Sequence, residues 1–321
     1  MAIIDDILYP PLEPFQHGWL PVSSMHSIYF ERCGNPAGQP VVVLHGGPGS
    51  GCTPGQRRFF DPEHYHIVLL DQRGCNRSLP QGCVQENTTQ HLLDDLEALR
   101  SHLGISRWLV FGGSWGSTLA LAYAATRPQS ITGLILRGIF LCRKQELDWF
   151  LHQARNFFPE AWQRLTASLT TREREDILSS YYSRVFTADQ ALAFSAALNW
   201  NAYETAIMSL LPSADSVSVP DEAATIARAR VQLHYLRNLG FIEQHPLLER
   251  VDAFRNIPAV IIQGRYDMVC PPTTAHELHL AWPEAEFRII ADAGHSAMEP
   301  GIAAALVAAT EAFKSNTIAL S

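Results

Sequence analysis

Short apolar runs recur along the chain and end in polar or glycine-rich stretches. The continuous runs cover residues 41–44, 67–70, 108–111, 131–136 and 260–263, with looser strand-like patterns at 27–33 and 286–290. Strands that are apolar on both faces are typical of a sheet that is covered by helices on both sides. The pattern therefore predicts a buried sheet in a layered α/β structure.

Helical patterns separate these runs. Residues 92–103 place four leucines on one helix face, and residues 117–125 and 302–313 are rich in alanine. Because strands alternate with helices, the sequence predicts a mostly parallel α/β sheet.

One long interruption divides this alternation. Residues 143–250 contain helix-like stretches rich in alanine, leucine, arginine and aromatic residues, without a clear strand. We therefore predict a helical cap domain over residues 143–250. It is inserted into an α/β sheet domain made of residues 1–142 and 251–321.

Charge and hydropathy exclude several classes of partner. The chain has 321 residues, with 24 Lys and Arg against 32 Asp and Glu, a net charge of −8. An acidic balance disfavours a broad nucleic-acid surface. No run approaches the ~18 apolar residues of a membrane span, and the acidic N-terminus lacks the positive segment of a secretory signal. We predict neither a nucleic-acid nor a membrane partner.

Cysteine and histidine spacing argues against a metal site. The six cysteines form no C-x-x-C pair, and we interpret them as reduced thiols of a cytoplasmic protein. The pairs His64 with His66 and His276 with His279 have no third ligand at a suitable spacing. No phosphate-binding glycine motif is found. The sequence therefore predicts no metal or nucleotide cofactor.

A candidate nucleophile lies in a glycine-rich turn. Residues 112–116 match G-x-S-x-G and stand between a predicted strand and a predicted helix. Such a turn requires small neighbours and leaves the hydroxyl of Ser114 exposed above the sheet. Serine is a poor nucleophile alone, so it needs a base that is oriented by a carboxylate.

Two later residues have the right order and placement for those roles. Asp267 follows the strand run at 260–263, and His295 follows the run at 286–290. Side chains that act on ligands lie at the carboxyl ends of strands in α/β sheets. Asp292 is a rival acid, but it stands only three residues before His295 and reaches the imidazole awkwardly. We predict a Ser114–His295–Asp267 triad.

A second glycine-rich loop, residues 45–49, follows the run at 41–44. Glycines let the backbone approach a substrate closely, so the N–H groups of Gly47 and Trp115 are candidate oxyanion donors. We interpret His45 as a brace for this loop rather than as a catalytic base.

Five ordered segments closely resemble one known family, the proline iminopeptidases, which are α/β-hydrolase serine peptidases of the bacterial cytoplasm. The segments are residues 45–49, 71–75, 112–117, 264–267 and 294–296, within a resemblance that runs from about residue 14 to 313. The resemblance implies release of N-terminal proline through an acyl-enzyme. Ser114 would attack the carbonyl, His295 would carry the proton, and Asp267 would fix the imidazole tautomer.

The resemblance also implies how a small peptide or amide substrate binds. It places an apolar proline pocket under the cap, and ordinary core packing is the competing interpretation for each lining residue. The residues at the matching positions are Phe140, Trp149, Leu236 and Cys270. In the family, two cap glutamates bind the free amine; here the first is Glu204, whereas the second is replaced by Gln232.

Two alternatives stay open at this point. One is an amidase or esterase of altered specificity that acts on a small-molecule metabolite, and Gln232 together with Leu236 favours it. The other is a non-catalytic binding protein on the same fold, against which the complete set of Ser114, Asp267 and His295 argues.

Overall fold

The computed structural model describes residues 4–211 and 220–315. The predicted spans 1–142, 143–250 and 251–321 are therefore each described in part, and residues 1–3, 212–219 and 316–321 lie outside the described residues. No described helix is both long enough and apolar enough to cross a membrane.

The centre of the structure is an eight-stranded sheet. Its strands are β1 (Gln16–Pro21), β2 (Ser27–Gly34), β3 (Gln39–Leu44), β4 (Tyr65–Leu70), β5 (Trp108–Gly113), β6 (Ile131–Arg137), β7 (Ala259–Gly264) and β8 (Glu286–Ile290). Their order in the sheet is β1-β2-β4-β3-β5-β6-β7-β8. The β1–β2 and β2–β4 pairings are antiparallel and the other five are parallel, which confirms the predicted mostly parallel sheet.

Helices cover both faces of this sheet. The α-helices are α1 (Ile4–Ile7), α2 (Pro54–Arg57), α3 (Thr89–His102), α4 (Trp115–Thr126), α5 (Lys144–Asp148), α6 (Pro159–Thr166), α7 (Ile177–Val185), α8 (Gln190–Met208), α9 (Glu222–Arg237), α10 (Pro272–Ala281) and α11 (Pro300–Lys314). Short 3₁₀ segments cover Pro128–Ser130, Ala154–Asn156, Glu173–Glu175, Leu239–Phe241 and Leu247–Ala253, and Trp149–Gln153 forms a π-helical turn.

The continuous apolar runs arise because each strand supplies two cores. In β5, Trp108 and Val110 join a hydrophobic cluster that includes the leucines of α3 and α4. Leu109 and Phe111 point the other way, into a cluster with Leu306 of α11. Since successive side chains of a strand alternate between faces, a strand buried on both faces must be apolar at every position.

Between β6 and β7, every regular element among the described residues is helical. These helices run from Lys144 to Ala253, three residues beyond the predicted limit of the cap at residue 250. The inserted helical region is therefore present, while its status as a separate domain stays a prediction.

The edge strand β1 is absent from the sequence-based prediction. Among the described strands it pairs with β2 alone, and its side chains are exposed or half-exposed, including Trp19 at 52%. An edge strand that buries so little has no run of apolar residues by which to recognise it.

Candidate active site

Ser114 lies in a strained turn between β5 and α4. Its φ of +58° and ψ of −127° fall in a region that non-glycine residues rarely adopt. A Cβ at Gly112 would come within 2.3 Å of the Gly116 carbonyl oxygen, and one at Gly116 within 2.1 Å of the Leu44 carbonyl oxygen. Both glycines of the motif are therefore required by close backbone packing, and this turn presents the serine at the carboxyl end of the sheet.

The loop after β7 holds the Asp267 carboxylate, which is 1% exposed. Its Oδ1 accepts hydrogen bonds from the backbone N–H groups of Val269 (3.0 Å) and Cys270 (2.7 Å). Its Oδ2 accepts from Gln263 Nε2 at 3.1 Å and faces His295 Nδ1 at 2.7 Å. These donors orient the carboxylate toward the imidazole. Asp292, the rival acid, is exposed.

The imidazole of His295 is buried between Asp267 and Arg137, the last residue of β6. Arg137 Nη1 donates to His295 Nε2 at 3.1 Å and to the His295 carbonyl oxygen at 2.7 Å. A guanidinium nitrogen only donates, so Nε2 is the acceptor and Nδ1 carries the proton that faces Asp267. This is the tautomer that a general base requires, because the lone pair of Nε2 is the one available to a nucleophile.

The hydroxyl of Ser114 lies beside the thiol of Cys270. Among the hydrogen bonds of the described residues, none joins Ser114 Oγ to His295; Arg137 occupies the Nε2 side instead. Proton transfer from the serine therefore requires its hydroxyl to take the place of Arg137 at Nε2. Burial raises the pKa of the Cys270 thiol well above its ordinary value, so this neighbour is a neutral group.

The two candidate oxyanion donors are near Ser114: Trp115 follows it directly in the chain, and Gly47 lines the same small cavity. The backbone N–H groups of Gly47 and Trp115 make no hydrogen bond to any acceptor in the part of the chain that the structure describes. Gly46 approaches so closely that a Cβ there would lie 3.2 Å from the Ser114 Cβ. Two unpartnered N–H groups beside a serine are suited to an oxyanion.

Gln72 connects the loop of Gly47 to the helix of Trp115. Its Nε2 donates to the His45 carbonyl oxygen at 3.0 Å, and its Oε1 accepts from Trp115 Nε1 at 2.8 Å. Gln72 lies in the segment 71–75 that resembles the proline iminopeptidases, but the sequence analysis gave it no role. We infer that it fixes the spacing of the two oxyanion donors.

His45 braces its loop, as the sequence analysis suggested. Its Nε2 accepts from the Gln72 backbone N–H at 3.0 Å, and its Nδ1 lies 2.9 Å from the Gly46 carbonyl oxygen. Burial lowers the pKa of His45, so the ring stays neutral. Both ring nitrogens are engaged by the backbone, which leaves no lone pair for catalysis.

A small cavity opens at Ser114, and we call it the Ser114 cavity. It is lined by Gly47, Ser114, Phe140, Glu146, Leu147, Phe150, Glu204, Gln232, Leu236, Val269 and Cys270. Three of the four predicted pocket residues are in this wall. Trp149 is not: its indole N–H donates to the Met268 carbonyl oxygen at 2.8 Å, and the neighbouring Phe150 lines the cavity in its place. Trp149 begins the π-helical turn Trp149–Gln153.

Glu204 of α8 and Gln232 of α9 form one end of this cavity and are both buried. Gln232 Oε1 accepts from Trp200 Nε1 at 2.7 Å, and its Nε2 donates to Glu204 Oε1 (2.9 Å) and to the Gly47 carbonyl oxygen (3.1 Å). The remaining oxygen of Glu204, Oε2, accepts from Arg228 Nη2 at 2.8 Å.

Sequence reasoning missed Arg137 and Arg228. Arg137 is the last residue of β6 and lies within the span of the family resemblance, so a signal existed for it. Arg228 lies one helical turn before Gln232, a spacing that places both side chains on the same face of α9.

No group of three or more His, Cys, Asp or Glu side chains among the described residues is arranged to bind a metal.

The fold and the site together define the class of the protein. The family model for the alpha/beta hydrolase fold matches residues 39–301. Among solved structures, a proline iminopeptidase from Mycobacterium smegmatis aligns with a TM-score of 0.58, covering 94% of this chain and 100% of that chain at 18% identity. The enzyme MGS-M2 from a deep-sea metagenome library aligns with a TM-score of 0.61 over 92% and 97%, also at 18% identity. These structures show the α/β-hydrolase fold.

Sequence relatives identify the family within that class. A proline iminopeptidase of Arabidopsis thaliana is 49% identical over 96% of this chain and 82% of its own length. One from Xylella fastidiosa is 49% identical over 95% and 99%, and one from Neisseria gonorrhoeae is 45% identical over 95% and 98%. The chain belongs to the proline iminopeptidase family.

Proposed function

We propose that this protein is a serine aminopeptidase that releases N-terminal proline from peptides or amides through an acyl-enzyme. One observation carries the proposal: Ser114 stands on a strained turn beside a buried Asp267–His295 pair, at the mouth of a small, mainly apolar cavity. The names of the relatives support the same activity.

The proposed reaction assigns one task to each group. The Ser114 oxygen forms a bond to the prolyl carbonyl carbon while His295 Nε2 takes its proton. The N–H groups of Gly47 and Trp115 stabilise the oxyanion. His295 then gives the proton to the leaving nitrogen as the C–N bond breaks. Water attacks the resulting ester with His295 again as base, which frees proline and restores the serine hydroxyl. Asp267 stabilises the imidazolium throughout.

The cavity suits a small ring. Phe140, Leu236 and the neutral thiol of Cys270 provide apolar surface against which a pyrrolidine can pack. Glu204 is a buried carboxylate in the cavity wall, and we assign it to the substrate amine. Bulkier acyl groups fit less well in so narrow a space.

The test is a turnover screen with the purified protein. It compares prolyl, alanyl and N-acylated amides with simple esters, and a fluorophosphonate probe reports labelling of Ser114. We expect Ser114 labelling and turnover of a prolyl amide above an alanyl amide. Turnover of esters alone would favour the alternative function, an amidase or esterase of altered specificity, which the neutral Gln232 supports. Absence of both labelling and turnover would overturn the proposal.

We also propose a cytoplasmic location. All six cysteines are unpaired, five of them buried and Cys83 half-buried. Free thiols fit a reducing compartment. Fractionation of the native host with a cytoplasmic marker tests this, and recovery with secreted proteins would contradict it.

A further inference from the structure

Glu299 accepts two hydrogen bonds from the loop that carries the proposed base. Its Oε2 accepts from the Gly294 backbone N–H at 2.8 Å, and its Oε1 accepts from the Ser296 backbone N–H at 3.2 Å. These two donors flank His295 in the chain. One carboxylate therefore holds the backbone on both sides of the residue that bears the imidazole.

The backbone groups of His295 itself are bound as well. Its N–H donates to the Met208 carbonyl oxygen, at the end of α8, at 2.9 Å. Its carbonyl oxygen accepts from Arg137 Nη1 at 2.7 Å. Because buried backbone groups have to find partners, these four bonds decide where the loop lies. Two of the four end on Glu299, more than on any other residue.

Glu299 does not perform the task that is usual at its position. It is the N-cap residue of α11, but its side chain makes no capping hydrogen bond to that helix. The preferred N-cap residues are Ser, Thr, Asp and Asn, whose short side chains reach the first turn. The longer glutamate instead reaches back to the loop before the helix.

The charge of Glu299 also acts on the arginine that holds the His295 carbonyl oxygen. Burial lowers the pKa of Arg137, and the nearby charges of Asp267 and Glu299 oppose that shift. Both carboxylates therefore favour the charged form of the guanidinium, which is the stronger donor.

Gly294 permits the close fit of this loop. A Cβ there would lie 2.8 Å from the Leu210 backbone nitrogen and 3.1 Å from Glu299 Oε1. Any side chain would push the loop away from the segment after α8 or from Glu299. The loop is therefore confined between these two partners.

We propose that Glu299 is a positioning residue, which holds the loop so that the His295 ring stays aligned with Asp267. Nδ1 lies only 2.7 Å from Asp267 Oδ2, so a small shift of the loop would weaken the pair. A misplacement of about 1 Å can cost ~100-fold in rate. This inference rests on the proposed function insofar as Ser114 is the nucleophile and His295 its base.

The experiment measures two quantities on the full chain: kcat and KM for a chromogenic prolyl anilide, and the rate constant for labelling of Ser114 by a fluorophosphonate. The extent of labelling counts the active sites, so kcat is expressed per active site. The variants are Glu299→Gln, Glu299→Asp and the control Glu311→Gln. Glu311 lies near the opposite end of α11, where it accepts from the Tyr9 hydroxyl and pairs with Lys314.

For Glu299→Gln we expect kcat per active site to fall ~10- to 100-fold, because the amide replaces one of the two acceptor oxygens with a donor. KM should stay within about 2-fold, since Glu299 is not in the wall of the Ser114 cavity. The labelling rate should fall with kcat, and Glu311→Gln should keep both values. A purely structural role would lower the melting temperature and the number of active sites, and leave kcat per active site unchanged.

An unchanged kcat per active site in folded Glu299→Gln would overturn the inference. If that variant does not fold, Glu299→Asp decides. Aspartate is a preferred N-cap residue, but its carboxylate is one methylene shorter and cannot span both N–H groups, so we expect a ~5-fold or larger loss of kcat per active site. The wild-type value in Glu299→Asp would overturn the inference. Failure of the proposed function is a different result: the wild-type protein turns over no prolyl anilide, and the labelling rates of Ser114 then decide the role of Glu299.

Discussion

The two ends of the Ser114 cavity are built in different ways. At the chemical end, Ser114, Asp267 and His295 each follow a strand of the central sheet. Close backbone packing fixes the Ser114 turn, and two backbone N–H groups hold the Asp267 carboxylate. At the recognition end, Glu204 and Gln232 lie on the helices α8 and α9, and side chains fix them: Trp200, Arg228 and each other.

This difference has a physical consequence. A turn fixed by backbone packing admits very few residue types, so the chemical end is restricted to a recognisable motif. A network of side chains changes its charge with a single substitution while the helices stay in place. The chemistry and the specificity of this fold are therefore separable, and the predictions below test that separation.

The largest effect is expected at the nucleophile. Ser114→Ala should lower kcat by about 10⁶-fold, because the hydroxyl that forms the acyl-enzyme is gone. Steady-state assays with the prolyl anilide measure this, and unchanged circular dichroism shows that the fold is intact. More than a few per cent of the wild-type rate, free of contaminating enzyme, would contradict the assignment.

Substitution of Asp267, the acid of the predicted triad, is expected to have the next largest effect on kcat. Asp267→Asn should lower kcat by about 10⁴-fold, since the imidazolium loses its carboxylate and the tautomer is no longer fixed. The matched control is Asp292→Asn, which changes an exposed carboxylate on the same loop as His295 and should stay within about 2-fold of wild type. Equal losses in the two variants would remove Asp267 from the triad.

A smaller effect is expected at the recognition end. Gln232→Glu should raise kcat/KM for a prolyl amide about 5- to 30-fold, because a charge-assisted hydrogen bond to the ammonium replaces a neutral one. Glu204→Ala should lower it. Without substrate, the new carboxylate faces the Gly47 carbonyl oxygen and Glu204, so the melting temperature should fall. If neither variant changes prolyl turnover, these residues do not bind the amine.

The smallest effect concerns the sheet, away from both ends. Burial, with Arg32 nearby, lowers the pKa of His66 from 6.5 to about 4. In the unfolded chain His66 therefore binds a proton near pH 6.5, whereas in the folded chain it binds one only near pH 4. The contribution of His66 to the free energy of unfolding is fully present above pH 6.5 and is lost as the pH falls toward 4.

His66→Gln should remove about 1 kcal/mol of the stability loss between pH 6.5 and 5, allowing for solvent screening. Denaturant unfolding at both pH values measures it. Glutamine keeps an acceptor for Arg32 Nε, which donates to His66 Nε2 at 2.9 Å. An unchanged pH dependence would show that His66 does not contribute.

The sequence alone determined the strands of the sheet interior and the placement of Ser114, Asp267 and His295 after strands. A strand buried on both faces must be apolar throughout, and the turn at Ser114 must have Gly112 and Gly116, so burial and close packing restrict the residue types locally. The seven predicted strands are all present, whereas the exposed edge strand β1, which is under no such restriction, was missed.

Only the tertiary structure decided which groups surround the site residues. Arg137, at the end of β6 and 158 positions away in the sequence, donates a hydrogen bond to His295 Nε2. Arg228 on α9 donates one to Glu204 on α8. The packing of the cap places Phe150, and not Trp149, in the cavity wall. Such contacts depend on how distant elements pack and on which rotamers the packing permits, and no local pattern encodes either.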